Sequence, residues 1–86
     1  MRTKALIVDD VEMNRALLCE IMKDNFDTLE AADGEEALSV LDRLQQEIAV
    51  VLLDIIMPKM DGFEVLEKMK ALGYLDKIPV LFITGD

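Results

Sequence analysis

Carboxylates follow two apolar runs of the sequence at the point where each run ends. Asp9 and Asp10 come directly after residues 5–8. Asp54 comes directly after residues 48–53. Ligands of open α/β sheets bind outside the carboxyl ends of the strands, so we expect these three carboxylates to converge there. All-oxygen ligands favour Mg²⁺ or a similar hard cation, and the chain has no His and one Cys with which to build a zinc site.

A structural alternative exists for the first acidic pair, since Asp10 or its neighbour could cap the helix that follows. This alternative loses weight because Asp54 ends a second apolar strand and Thr84 ends a third. Carboxylates packed within several ångströms repel each other, which raises a pKa unless a cation joins them. The pattern therefore favours a cation site over a helix cap.

The elements that must hold these residues follow from hydrophobic spacing. Apolar runs predict strands at residues 4–8, 48–53 and 80–83, and the middle run has no polar alternation, which is typical of a strand covered on both faces. A more polar segment, residues 26–31, predicts an edge strand. Helical spacing predicts a helix between each pair of strands. Strict alternation of strand and helix predicts a parallel sheet with right-handed crossovers.

Two of the three helices begin with capping-box spacing. The pairs are Asp33 with Glu36 and Asp61 with Glu64. We expect the third helix to run from about residue 61 to residue 72 and to end at Gly73. The residues that we expect this helix to bury are Val65, Leu66, Met69 and Leu72.

Composition limits the classes of function. The 86 residues predict one small domain, and 18 acidic residues against 9 basic ones give a net charge of −9. This charge argues against direct binding to nucleic acid or to an anionic membrane. No apolar run approaches the roughly 20 residues that span a bilayer. The single cysteine, Cys19, excludes an internal disulfide, lies among apolar residues and indicates a reduced, cytoplasmic setting.

The sequence resembles the receiver domain of two-component response regulators across its whole length. The resemblance implies a flavodoxin-like, doubly wound parallel sheet in the family's order 2-1-3-4-5, of which this chain supplies 2-1-3-4. The segments that carry the resemblance are residues 6–10, 32–38, 52–64 and 78–85.

The resemblance also implies roles for individual residues. Asp54 would accept a phosphoryl group from the phosphohistidine of a sensor histidine kinase or phosphotransfer protein. Asp10 would bind Mg²⁺ directly and Asp9 through water, and the backbone carbonyl of Ile56 would complete the protein ligands. Thr84 would turn its hydroxyl towards the phosphoryl group. The expected kinase-docking candidates in and before the first helix are Val11, Met13, Asn14 and Leu17.

Two other classes of function remain open at this point. A receiver-like module, or an inactive receiver fragment, could bind proteins without being phosphorylated. An aspartyl-phosphate phosphatase usually needs a second acid shortly after the nucleophile, and Ile55 and Ile56 occupy those positions. We therefore expect a signalling domain and not an enzyme.

The chain departs from the family pattern at its end. Residues 1–86 match one receiver domain without the fifth βα unit and its lysine, since neither Lys59 nor Lys77 stands at the matching position. We therefore expect slow phosphorylation. We also expect an exposed apolar edge at residues 80–83 and an uncovered sheet face, either of which would promote a homo-oligomer.

Overall fold

The computed structural model describes residues 2–57 and 60–83, and within them it confirms the predicted α/β architecture. Four parallel strands form one sheet in the order β2-β1-β3-β4. Its strands and helices, in chain order, are β1 (Lys4–Val8), α1 (Glu12–Met22), β2 (Asp27–Ala31), α2 (Gly34–Leu44), β3 (Ile48–Asp54), α3 (Gly62–Ala71) and β4 (Val80–Ile83).

The two central strands, β1 and β3, are buried because helices cover both faces of the sheet. Six of the seven residues of β3 are buried and the seventh is half-buried, as its unbroken apolar sequence predicts. One face packs against α2 and α3 through side chains such as Leu41, Val65 and Met69. The other face packs against α1 through Leu18, Cys19 and Met22. The two central strands therefore lie between two apolar layers.

Both predicted helix caps are present. The Asp33 carboxylate accepts a hydrogen bond from the Glu36 N–H at 2.8 Å. The Asp61 carboxylate accepts one from the Glu64 N–H at 2.9 Å. These bonds satisfy backbone donors that have no partner within the first turn of a helix. They fix the starting points of α2 and α3.

The third helix agrees with the predicted bounds to within one residue at each end, with Asp61 as its N-cap residue and Leu72 as its C-cap residue. It ends at Ala71, and Gly73 reverses the chain with a φ of +82°, which is open to glycine at little cost. Val65 and Met69 are buried as expected, but Leu66 is only half-buried. Leu72 is 60% exposed, so the prediction that it is buried is wrong. Leu72 is the C-cap residue of α3 and its N–H still bonds to the carbonyl of Lys68 at 3.0 Å, so apolar spacing continues to this position although its side chain is open to solvent.

Helix α1 has an apolar stripe that faces away from the sheet. Met13, Leu17 and Ile21 are all exposed, while Cys19 is half-buried beside the sheet. At the edge of the sheet, Leu81 of β4 is 57% exposed.

In the described ranges, no helix has the length and apolar character needed to cross a bilayer.

Candidate functional site

The register of the sheet brings the predicted acidic residues together. Val8, the last residue of β1, is paired with Leu53 of β3. The next residue along each strand is acidic, so Asp9 and Asp54 lie side by side at the carboxyl edge. Asp54 is also paired with Ile83 of β4. The site is therefore built at the ends of the most buried strands, which place its atoms with little freedom.

Asp9, Asp10 and Asp54 form one cluster. One carboxylate oxygen from each residue lies within 4.8 Å of the other two. Asp9 and Asp54 are almost fully buried, with 2% and 3% of their surface exposed. Asp10 is exposed and opens the cluster to solvent. The convergence predicted from the strand ends is thus observed.

Backbone N–H groups bind one oxygen of each buried carboxylate. The Val11 N–H donates to Asp9 Oδ1 at 2.9 Å. The Ile56 N–H donates to Asp54 Oδ1 at 3.2 Å. Such bonds to the residue two positions on are typical of Asp side chains in turns. Each carboxylate is oriented in this way and retains a second oxygen.

The alternative interpretation, in which Asp10 or its neighbour caps the first helix with its side chain, is not observed. Val11 is the N-cap residue of α1, and no side chain makes a capping hydrogen bond there. The Asp9 carboxylate binds the N–H of Val11, one residue before the helix begins. The loop thus leaves the Asp10 side chain at the cluster and not over the helix end.

Asp54 has a raised pKa within the cluster. Burial raises the pKa of its carboxyl above the ordinary value of 3.8, and the nearby charges of Asp9 and Asp10 raise this pKa further. Hydrogen bonds from the Ile56 and Ile55 backbone act in the opposite direction but are outweighed. A cation would relieve this repulsion. Three close carboxylates, without His or Cys, form the hard oxygen donor set that suits Mg²⁺.

The other predicted residues differ in what the structure says of them. Ile56 lies in the loop after β3, next to the cluster, with its side chain 70% exposed. Thr84 lies outside the described residues. The candidates for kinase docking, Val11, Met13, Asn14 and Leu17, are all exposed.

Two residues that sequence reasoning missed contact the segments that carry the cluster. Arg15 of α1 donates a hydrogen bond to the backbone carbonyl of Asp9. Gly62, at the start of α3, lies against the backbone of Asp54. The Arg15 contact leaves no periodic signal in the sequence, because its acceptor is a main-chain atom. The pair Asp61-Gly62 is recognisable as a helix start, but the closeness of Gly62 to β3 is not.

Comparison with known proteins agrees with this geometry. The chain is 40% identical over 80 residues to a probable cyclic di-GMP phosphodiesterase of Vibrio cholerae, covering 93% of this chain and 18% of that protein. It is 39% identical over 86 residues to sporulation initiation phosphotransferase F of Bacillus subtilis, covering 99% and 66%.

A solved structure, the CheX-CheY-BeF3-Mg²⁺ complex from Borrelia burgdorferi, superposes with a TM-score of 0.86 at 34% identity, covering 95% of this chain and 61% of that one. The chain therefore spans less than two thirds of the length of each of these three proteins. The sequence model of the response regulator receiver domain matches residues 5–86. With its parallel 2-1-3-4 sheet and its acidic cluster at the strand ends, the chain belongs to the response regulator receiver domain family.

Proposed function

We propose that Asp54 is the phospho-acceptor of this receiver domain. The observation that carries the proposal is its position: a nearly buried carboxylate at the end of the central strand β3, within 4.8 Å of two further carboxylates. The donor would be the phosphohistidine of a sensor histidine kinase or a phosphotransfer protein. The relative from Bacillus subtilis, which is named a phosphotransferase, supports this class of partner.

The transfer itself needs only one covalent exchange. A carboxylate oxygen of Asp54 attacks phosphorus, the new P–O bond forms, and the P–N bond to the donor histidine breaks with its electron pair remaining on the imidazole. The product is an acyl phosphate. The hydrogen bond from the Ile56 N–H holds Oδ1 of Asp54, which leaves the other oxygen to attack. Phosphoryl transfer depends mainly on such positioning and on charge neutralisation.

We propose that Asp9, Asp10, Asp54 and the backbone carbonyl of Ile56 hold Mg²⁺. The close carboxylates and the raised pKa of Asp54 support a divalent cation in this cluster. The similar structure from Borrelia burgdorferi, whose title includes Mg²⁺, supports the choice of metal. A bound Mg²⁺ would neutralise negative charge on the transferred group. Asp9 would act through a water molecule, as the resemblance to the receiver family implies.

Thr84 would donate its hydroxyl to the phosphoryl group. The family match includes this position, and a small hydroxyl can donate to a phosphoryl oxygen without adding charge. The Vibrio cholerae relative is named as a phosphodiesterase, but we do not propose this activity for the chain, because the chain covers only 18% of that protein. We also propose a cytoplasmic location, which the free thiol of Cys19 supports.

We further propose that the domain forms a homo-oligomer. Two features support it: the edge strand β4, where Leu81 and Phe82 are exposed, and the exposed apolar stripe of α1. An exposed apolar edge strand and exposed apolar side chains on a helix each favour association in water.

The phosphorylation proposal is tested by incubating the chain with Mg²⁺ and a small phosphoramidate donor and then measuring its intact mass. We expect the mass of one phosphoryl group to be added in wild type and none in Asp54→Asn. The matched control is Asp61→Asn, which makes the same chemical change and keeps a good N-cap residue. A modification on Asp9 or Asp61 would refute the assignment. No modification at all would favour the non-phosphorylated binding module.

The metal proposal is tested separately, by titrating Mg²⁺ into the chain without a phosphodonor. We expect weak binding to one site, because an acidic site of this kind leaves much of the ion hydrated. Asp10→Ala should abolish it. Unchanged affinity in this variant would remove Asp10 from the ligand set.

A further inference from the structure

Arg15 connects three elements of the fold beside the acidic cluster. Its Nη1 donates to the backbone carbonyl oxygen of Asp9 at 2.8 Å. Its Nε donates to Glu30 Oε1 of β2 at 3.0 Å. The Arg15 side chain is 15% exposed and that of Glu30 is 48% exposed, so water competes less for the bond to the Asp9 carbonyl than for the bond to Glu30. The guanidinium thus joins α1 to the end of β1 and to β2.

The contact with Arg15 completes the anchoring of Asp9. The N–H of Asp9 donates to the carbonyl of Ala31 at 3.1 Å. Its Oδ1 accepts from the N–H of Val11. Its carbonyl accepts from Arg15. Both peptide planes that flank Asp9 are therefore fixed, one by the sheet and the other by Arg15.

The second of these peptide planes also determines where Asp10 begins. The carbonyl of Asp9 and the N–H of Asp10 belong to one planar unit, so fixing the first fixes the second. Among the described residues, no hydrogen bond holds the exposed Asp10 carboxylate. Its place in the cluster depends on the backbone, and the backbone there is held by Arg15.

We propose that Arg15 is a positioning residue for the acidic cluster, acting through the carbonyl of Asp9 to aim Asp10 at the cation. Glu30 has a supporting role, because it holds the guanidinium in place through Nε. The part of this inference that concerns Mg²⁺ rests on the proposed function. The part that concerns the loop from Asp9 to Val11 does not.

Electrostatics alone would give Arg15 the opposite effect. A cationic side chain near a metal site repels the metal, so removing its charge should tighten Mg²⁺ binding. Loss of positioning should weaken Mg²⁺ binding. The sign of the change in affinity therefore distinguishes the two roles.

The test uses Arg15→Met, which keeps an apolar stem and loses every donor, and Arg15→Lys, which keeps the charge and one donor group. Lys23→Met is the matched control. It removes the same charge from the C-terminal end of the same helix, where Lys23 pairs with Glu20 and both side chains are exposed. Mg²⁺ affinity is measured by NMR titration, in which the chemical shifts of backbone amides are followed at a temperature where every variant is folded. Without metal, amide hydrogen exchange is measured at Val11.

We expect Arg15→Met to weaken Mg²⁺ binding about tenfold, the typical effect of one lost charge-assisted hydrogen bond. We expect Arg15→Lys to recover part of this loss and Lys23→Met to change affinity less than about twofold. The Val11 amide should exchange faster in Arg15→Met than in wild type or Lys23→Met. Glu30→Gln should show the same changes as Arg15→Met, but smaller.

Unchanged or tighter Mg²⁺ binding in Arg15→Met would overturn the positioning role, even if the melting temperature fell. An equal loss of affinity in Lys23→Met would also overturn it, since the effect would then be one of overall charge. If wild type bound no Mg²⁺, the proposed metal site would fail, and the Val11 amide would still decide the role of Arg15. Faster exchange there would support loop positioning, and unchanged exchange would refute it.

Discussion

The carbonyl oxygen of Asp54 and the α-carbon of Gly62 approach so closely that a Cβ atom on Gly62 would lie 2.4 Å from that oxygen. The same Cβ would lie 2.9 Å from the Cα of Ile55. The N–H of Gly62 donates to the Ile55 carbonyl at 2.9 Å. Helix α3 therefore begins in direct contact with the backbone of the candidate phospho-acceptor.

Gly62→Ala should destabilise the domain, because the added methyl group meets backbone atoms that cannot move away independently. Overpacking of this kind costs about 1–3 kcal/mol. In a domain of this size each kcal/mol lowers the melting temperature by roughly 4–8 °C. Thermal unfolding followed by circular dichroism measures the change. A melting temperature equal to that of wild type would show that the backbone of α3 moves freely relative to β3.

Gly73 should respond to substitution for a different reason. Its φ is +82°, and a Cβ atom there would meet no atom within 4 Å. Gly73→Ala should cost about 1–2 kcal/mol through its left-handed backbone alone, while Gly73→Asn should cost less, since Asn adopts this conformation more readily. Urea unfolding of the two variants gives the comparison. Equal losses for Ala and Asn would contradict a conformational cause.

The raised pKa of Asp54 predicts how stability depends on pH. The carboxyl of the unfolded chain ionises near 3.8, whereas the folded chain holds its proton to a higher pH. Between these two pKa values the unfolded state releases its proton first, so the contribution of Asp54 to stability falls as the pH rises. Replacement by Asn, which does not ionise, should therefore stabilise the metal-free domain near neutral pH and have little effect below pH 3.8.

This prediction is checked by measuring urea midpoints of wild type and Asp54→Asn across that pH range in the presence of a chelator. Adding Mg²⁺ near neutral pH should then stabilise wild type more than the variant, because the ion offsets the repulsion among the carboxylates. A variant that is less stable than wild type without metal would contradict the sign.

The proposed oligomer predicts a sedimentation result. The 86-residue chain should sediment as a dimer or larger species at micromolar concentration, and Leu81→Lys should shift it towards monomer by placing a charge on the exposed part of β4. Ala71→Lys, an exposed substitution at the end of α3 that also adds one positive charge, is the control. Wild type that sediments as a compact monomer would refute the proposal.

Much of the fold was predictable because local signals and packing agree. The apolar runs mark β1, β3 and β4, and the capping pairs mark the starts of α2 and α3. The acidic cluster was predictable for a related reason. Parallel strands in adjacent positions place the residues that follow them at one edge, so Asp9 and Asp54 meet whenever β1 and β3 are neighbours.

The contacts that support the site were not predictable. Arg15 bonds to a main-chain carbonyl, and its acceptor is known only once the β1–α1 loop has its shape. Leu72 continues the apolar spacing of α3 and keeps its helical hydrogen bond to Lys68, yet its side chain is exposed at the end of the helix. These features depend on tertiary geometry and not on residue type and spacing.

The central position of β1 also has a consequence for the order of folding. Lys4 of β1 pairs with Asp27 of β2 on one side and with Ile48 of β3 on the other. A nascent chain can therefore form the β1–α1–β2 unit early, but one edge of β1 stays open until β3 has been synthesised. Such pairings between distant segments are slow to form, since loop closure precedes the contacts that stabilise them. Until β3 has been synthesised, the apolar residues Ala5, Leu6, Ile7 and Val8 thus stay partly exposed to aggregation and to chaperones, even if β2 has already paired with β1.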